Sequence, residues 1–323
     1  MKEYKARIAD KILSRRLKSV GAVLIQGPKW CGKTTTAEQQ AQSVVYMDDP
    51  ELIAQNIELA KLSPKNLLAG ATPRLIDEWQ LAPQLWDAAR FEIDHRDSLG
   101  QFIFTGSAVP ADTSNIHHTG TGRFSWLTMR TMSFSESGDS SNEVSLKDLF
   151  DYPNLDIFAT NNHNIDDIAW LICRGGWPKA TIVDKEVALD MAYSYYEAVV
   201  NTDISRIDNV NRDAEKAKRI LRSLARNQCA QVSINTICAD IENNDTTPTN
   251  RITVASYIDA LKKIFVLEDS AAWNPNLRSK TAIRTSDTRY FSDPSIGVAA
   301  LGDRKSTRLN SSHSRASRMP SSA

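Results

Sequence analysis

Short, wholly apolar runs alternate with stretches of helical spacing through the first third of the chain. Ala22-Val23-Leu24-Ile25 reads as a buried strand, followed by a glycine-containing loop and helical spacing over 34–42. A second strand covers 44–47, and beyond Pro50 the segment 51–61 sets Leu52, Ile53, Ile57 and Leu59 at helical intervals. Arg74-Leu75-Ile76 is a third strand, 85–94 a helix and 101–104 a fourth strand. Strands that are apolar throughout, without two-residue alternation, are buried on both faces. Their alternation with helices predicts an α/β fold, a parallel sheet flanked by helices.

The pattern then changes. Residues 108–122 form a polar loop and 124–136 are strand-like again. From about 145 onward helical spacing dominates, over 166–173, 185–204, 212–227 and 233–242. A polar linker, 242–250, precedes a helix over 253–264 that begins near a capping Thr253 and runs into the apolar strand Phe265-Val266-Leu267. Two short helices and then an apolar strand is the order of a winged helix. No internal repeat is visible. The expected organisation is a phosphate-loop ATPase core at 1–140 and a helical lid or linker at 141–205. A winged-helix-like start of a C-terminal domain follows at 206–302, and a tail at 303–323.

Length and composition narrow the class. With 323 residues, 41% hydrophobic and 24% charged, the chain is a globular protein too long for one ordinary compact unit. The basic N-terminus, Lys2 to Arg16, is not followed by the apolar run of a signal peptide, and no stretch of about 20 apolar residues predicts a membrane span. Cys31, Cys173, Cys229 and Cys238 make no CxxC pair, and Cys229 and Cys238 fall on what read as two helices. Neither a zinc-ligand site nor a disulfide framework follows, and a reducing cytoplasm is the plain reading. Residues 303–323 carry five basic, one acidic and seven Ser residues. Taking them from the 39 basic and 39 acidic residues of the chain leaves a mildly acidic 34 against 38. This tail reads as translated vector or adapter sequence and is set aside.

Gly27-Pro28-Lys29-Trp30-Cys31-Gly32-Lys33-Thr34 satisfies GxxxxGK[ST], and it follows a predicted strand and opens a predicted helix, with Thr35 next in that helix. Glycines let the backbone wrap phosphate oxygens and present N–H groups to them, and the helix brings its positive end to the same anions. Lys33 is the candidate for the β- and γ-phosphates of ATP, and the Thr34 hydroxyl for Mg²⁺. About 40 residues on, Arg74-Leu75-Ile76-Asp77-Glu78 ends an apolar strand in two carboxylates at the sheet edge where ligands bind. Asp77 is the candidate Mg²⁺ ligand through water, and Glu78 the group that orients or deprotonates the attacking water.

Three weaker candidates follow. Thr105, in Phe102-Ile103-Phe104-Thr105-Gly106-Ser107, ends a strand expected beside the first and is a candidate γ-phosphate sensor; a turn or cap formed by its hydroxyl is the plain alternative. Arg123, after Thr119-Gly120-Thr121-Gly122, is a candidate arginine finger acting in trans between copies, or else a surface or ion-paired Arg. Arg174, in Arg174-Gly175-Gly176-Trp177-Pro178, reads first as part of a turn ending a helix and second as a phosphate contact from a lid. His117 and His118 read as loop residues.

Taken in order, GPKWCGKTTT, RLIDEWQLAP, FIFTGSA, HTGTGR, MRTMSFSESG and RGGWP resemble the prokaryotic AAA-type (AAA+) ATPases that carry a C-terminal domain of unknown function. The helix 253–261 and Arg289-Tyr290-Phe291-Ser292-Asp293-Pro294 extend the resemblance over about 4–302. It implies an AAA+ core, a small helical region and a winged-helix-like segment, followed in that family by a nuclease-like domain absent here. Where many such proteins place Asn at the end of the fourth strand, Thr105 stands.

Three functions compete. A Mg²⁺-dependent ATPase coupling nucleotide state to conformation or assembly, as a homo-oligomer acting on a protein client, leads. The alternative is an ATP-switched DNA-binding regulator using the winged helix, with Arg251, Lys262 and Lys263 near the reading helix. The mildly acidic body argues against it. A small-molecule kinase would need an Arg-rich lid, and 108–123 holds no such cluster.

Overall fold

The computed structural model describes residues 4–108, 119–154, 156–208, 210–242, 250–271 and 287–302. The expectations for 303–323, for His117 and His118, and for most of the 242–250 linker and the 108–122 loop lie outside them.

The first half is laid out as α1 (Ile8–Leu17), β1 (Ala22–Gln26), α2 (Lys33–Glu38), β2 (Ser43–Tyr46), α3 (Ile53–Leu62), α4 (Pro64–Leu68) and β3 (Arg74–Asp77). It continues with α5 (Leu85–Arg96), β4 (Phe102–Gly106), β5 (Phe124–Thr128) and the short α6 (Phe134–Ser137). The five strands form one sheet in the order β2-β3-β4-β1-β5, with all pairs parallel. Successive residues of a strand face opposite sides. Ala22 and Leu24 join Phe102, Phe104, Trp86 and Ala89 under α5, while Val23 and Ile25 join Leu13 and Leu17 of α1, Ala37 of α2 and Ile103. That two-sided burial is why β1 and β4 read as unbroken apolar runs, whereas β2, at the edge of the sheet, is only half-buried with Tyr46 exposed.

The second half contains α7 (Leu146–Asp151), α8 (Ile165–Arg174), α9 (Lys185–Ala198), α10 (Ile204–Arg206), α11 (Ala214–Arg226), α12 (Ile234–Glu242) and α13 (Arg251–Lys263). It closes with the antiparallel pair β6 (Leu267–Ser270) and β7 (Thr288–Phe291), then α14 (Pro294–Leu301). A single core joins Trp177, Tyr195, Ile220, Leu224, Ile258, Leu261, Phe291 and Ile296. No helix among the described residues is long and apolar enough to cross a membrane.

Several expected elements differ in detail. The strand-like 124–136 ends at Thr128, and 134–137 is helical because Ser133 and Glu136 form a reciprocal capping box. The predicted helix over 34–42 stops at Glu38. The long helix over 185–204 is α9 up to Ala198, then an i→i+5 π segment, Val199–Asp203. α13 is capped by Asn250, whose side chain accepts the Ile252 N–H, and not by Thr253. Phe265 adopts φ 58°, so the chain turns there and β6 starts only at Leu267. Cys229, at φ 63°, sits in the turn after α11 rather than on a helix.

Candidate functional site

β1 delivers the chain into the loop 27–32, and α2 begins at Lys33. The loop needs its first glycine for space as well as conformation. A Cβ on Gly27 would lie 2.0 Å from the Met129 carbonyl oxygen, and φ there is 154°. Gly32, at φ 96°, is the left-handed residue that turns the loop into α2. Trp30 also has positive φ, 65°, without being glycine. Cys31 is buried, with its Sγ 3.7 Å from the Met129 carbonyl oxygen, and burial pushes its thiol pKa up.

The Lys33 ammonium is buried inside the loop, donating to the carbonyls of Gly27 at 3.0 Å and Pro28 at 2.8 Å. Thr34 donates its hydroxyl to Asp77 Oδ1 at 2.8 Å, and Thr105 donates to the same oxygen from the neighbouring β4. Asp77 is therefore fixed from two sides, and Thr105 sits on this carboxylate. Glu78 follows with φ 53°, ψ 44°, a left-handed conformation rare for a non-glycine residue and costly to hold. Its carboxylate accepts from the Gln80 amide and, at 3.3 Å, from Ser107. Burial raises the pKa values of both Asp77 and Glu78, outweighing their hydrogen bonds and Lys33. Asp48, beyond the end of β2, adds a third negative charge felt by both. The strand order sets these groups side by side, because β3, β4 and β1 are successive neighbours whose C-terminal ends share an edge.

The oxygen pair of Thr34 and Asp77 is the donor chemistry a small hard cation takes, and the glycine-walled loop leaves backbone room for phosphate. These residues fit Mg²⁺ and a nucleoside triphosphate.

Arg123 stands elsewhere. It precedes β5, at the N-terminal edge of the sheet, and its carbonyl accepts the N–H of Ala22, the first residue of β1. It is exposed and its Nε donates to Asp94 of α5 at 2.8 Å. Five strand residues, about 16 Å, separate it from the phosphate loop of its own chain. Arg174 is buried in a two-pronged pair with Asp139, at 2.7 and 3.3 Å, and its Nε donates to the Gly175 carbonyl.

Some neighbours of the loop left no trace in the sequence. Lys29 makes an ion pair with Asp203, at the end of the π segment, at 2.6 Å. The Trp30 ring lies 5.7 Å from that of Tyr195 on α9, which in turn packs on Trp177 at 4.2 Å. A cavity of about 240 Å³ opens here, lined by Lys29, Gln80, Ser107, Tyr195, Asp203 and the exposed Arg206. Arg7 braces the loop from behind. Its guanidinium donates to the carbonyls of Cys31 and Arg130 at 2.8 Å each and pairs with Glu136 at 3.0 Å.

A second joint ties the halves together. Gly176 donates its N–H to Asp293 Oδ2 at 2.8 Å, and Met132 donates its N–H to the Gly176 carbonyl at 2.6 Å. Trp177 Nε1 donates to Ser295 at 3.0 Å, while Asp293 caps α14. A Cβ on Gly176 would lie 2.1 Å from the Met132 carbonyl oxygen, which explains the Gly-Gly pair.

Residues 19–138 match the family model described as an AAA domain, and residues 165–307 match one described as a domain of unknown function (DUF8612). Among solved structures the chain is similar to the Walker-type ATPase paby2304 of Pyrococcus abyssi, at 14% identity and a TM-score of 0.52, over 92% of this chain and 96% of that one. AMPPCP-bound DnaA from Aquifex aeolicus also aligns, at 15% identity over 81% of this chain and 89% of that one, but its TM-score of 0.30 carries no structural argument. No curated protein matches in sequence.

Proposed function

Starting from a P-loop AAA ATPase domain joined to a domain of unknown function, we propose that this chain binds ATP with Mg²⁺, hydrolyses it, and passes the nucleotide state to its helical half. Lys33, Thr34 and the backbone of 27–32 hold the phosphates. Thr34 and Asp77 are the residues that hold Mg²⁺, which, when bound, neutralises charge developing on the phosphoryl oxygens. Glu78, kept in reach of the site by Ser107 and Gln80, orients the attacking water and accepts its proton; its raised pKa suits that task. Thr105 reports the state of Asp77 through their shared hydrogen bond.

The observation that carries the coupling is the hold of the helical half on the tip of the phosphate loop, through Lys29–Asp203 and Trp30–Tyr195. The ion pair is half-exposed on the Lys29 side, so it contributes under about 1 kcal/mol, weak enough for a bound triphosphate to compete for Lys29. Its partner Asp203 ends a π segment, a helix irregularity common at functional positions. We read 206–302 as winged-helix-like, supported by α11, α12, α13 and the β6–β7 hairpin, with Ala230 bridging Arg289.

The deciding experiment measures ATP binding and Mg²⁺-dependent phosphate release by wild type, Lys33→Ala and Glu78→Gln. Hydrolysis by wild type, loss of binding in Lys33→Ala, and binding without turnover in Glu78→Gln bear the reading out. A wild-type protein that binds no ATP overturns it.

A further inference from the structure

We propose that residues 140–162 form an arm that docks on α1 of a second copy of this chain. The segment leaves the fold and rejoins it at one point. The His163 Nε2 lies 2.7 Å from the Asp139 carbonyl oxygen, and Arg174 holds the Asp139 carboxylate. Between these ends lies α7, none of whose residues is buried. Leu146, Leu149 and Phe150 share one side of that helix, at 70%, 43% and 79% exposure, and Tyr152 and Phe158 beyond it are exposed too. A six-residue helix gains too little from its own hydrogen bonds to persist alone in water. Exposed apolar residues grouped in this way mark a contact surface.

Charge says which surface covers it. Over 140–162 stand the acids Glu143, Asp148, Asp151 and Asp156 against Lys147 alone, and Lys147 is already paired with Asp151. Glu143, Asp148 and Asp156 are exposed and have no cationic partner among the described residues. α1 presents the counterpart. Its apolar side, Ala9, Leu13 and Leu17, is buried on the sheet, while its outer side carries Lys11, Arg15, Lys18 and the exposed Ile8. Spaced three and four apart, these four make one row about 15 Å long. None of its three cations has an acidic partner among the described residues. The unpaired charges are thus three against three, with Ile8 as an apolar contact for α7. Within one chain the two surfaces do not cover each other, since α7 stays bare and the cations stay unpaired. A two-fold pair satisfies both at once. Ile8 donates its N–H to Glu136, three residues before Asp139, so each arm starts beside its own α1 and crosses to that of the other copy. This inference does not rest on the ATPase reading.

The test is sedimentation equilibrium of the full chain at about 30 mM and about 500 mM salt. Wild type should run at twice the monomer mass in low salt. In high salt, where exposed charges are screened, its dissociation constant should rise at least about tenfold. Lys11→Glu with Arg15→Glu should be monomeric, and so should Glu143→Lys with Asp148→Lys. Mixed in equal amounts, the two should return to twice the monomer mass, because each then meets the opposite sign at both contacts. Leu149→Ser with Phe150→Ser should also be monomeric. All the altered side chains are exposed, so far-UV circular dichroism should match wild type and show that the variants fold. A wild type that stays monomeric in low salt overturns the proposal and leaves the arm to a different protein. So does assembly that survives both charge reversals, or reversed variants that stay monomeric when mixed.

Discussion

Lys29 and Asp203 stand 174 positions apart in the chain and 2.6 Å apart in the fold. One belongs to the phosphate loop, the other to the π segment that interrupts the longest helical run, so whatever moves the loop tip moves that segment's anchor. Asp203→Ala should leave ATP affinity within about fivefold of wild type, since an exposed pair contributes no more than about 1 kcal/mol. It should abolish the ATP-dependent change in amide hydrogen exchange over 199–206. Charge exchange, Lys29→Asp with Asp203→Lys, should restore part of that change; an identical exchange response in wild type and Asp203→Ala would refute the coupling.

Asp293 accepts from Gly176 across the joint and from Ser295 in its own cap. Asp293→Ala removes a helix cap and leaves a buried N–H unpaired, costs of about 1 and 1–3 kcal/mol. Thermal unfolding followed by far-UV circular dichroism should show a clear drop in melting temperature. Asp293→Asn, which keeps the Oδ1 acceptor, should lose less.

Glu136 predicts an acid-dependent effect. Burial pushes its carboxyl pKa up, but the N–H groups of Ser133 and Ile8 and the Arg7 guanidinium outweigh this and hold it below the ordinary 4.5. A folded-state pKa below the unfolded one means that the stabilisation is complete above about pH 4.5 and is lost as pH falls through the folded value. Glu136→Gln leaves Arg7 buried without its counter-charge and should cost about 3 kcal/mol at neutral pH. The gap to wild type, read from urea melts, should narrow as pH drops below 4.5 and stay constant above it.

Arg123 lies on the opposite edge of its own sheet from the phosphate loop, so a catalytic part for it requires a second copy. Arg123→Ala should bind ATP normally and hydrolyse it slowly. Mixed with Lys33→Ala, it should recover activity, because the second protein supplies arginine to a competent loop. Normal turnover by Arg123→Ala alone would make the Asp94 pair its whole role.

The sheet and the phosphate loop were readable because each follows from local chemistry. Short unbroken apolar runs such as Phe102-Ile103-Phe104, set between polar turns, fit strands buried on both sides, and the glycines of 27–32 mark a turn around an anion. Asp77 was readable by its place at a strand end. What joins the halves was not. Arg7 looked like one of several basic residues before the first strand, yet it is among the least exposed polar groups, and its partner Glu136 is 129 positions away. Arg206 and Asp203 carry no periodic signal, since a polar residue facing a cavity looks the same in sequence as one facing water. α1 is marked in the sequence only by Ala9, Leu13 and Leu17 repeating every four residues, and Lys11, Arg15 and Arg16 between them give the stretch the look of a basic leader. The 134–137 helix shows in the sequence only through the Ser133–Glu136 capping box, beside an apolar Phe134 that fits a strand equally well.

The clasp between Gly176 and Asp293 also governs how the molecule is made. The acceptor emerges 117 residues after the donor, roughly 6–25 s later at ordinary rates of synthesis. During that interval α8 and α9 are out of the ribosome while α14, which covers their shared apolar side, is still to come. The helical half is therefore a late-closing unit with a period of exposed surface, and a chaperone that recognises apolar helices would meet it then.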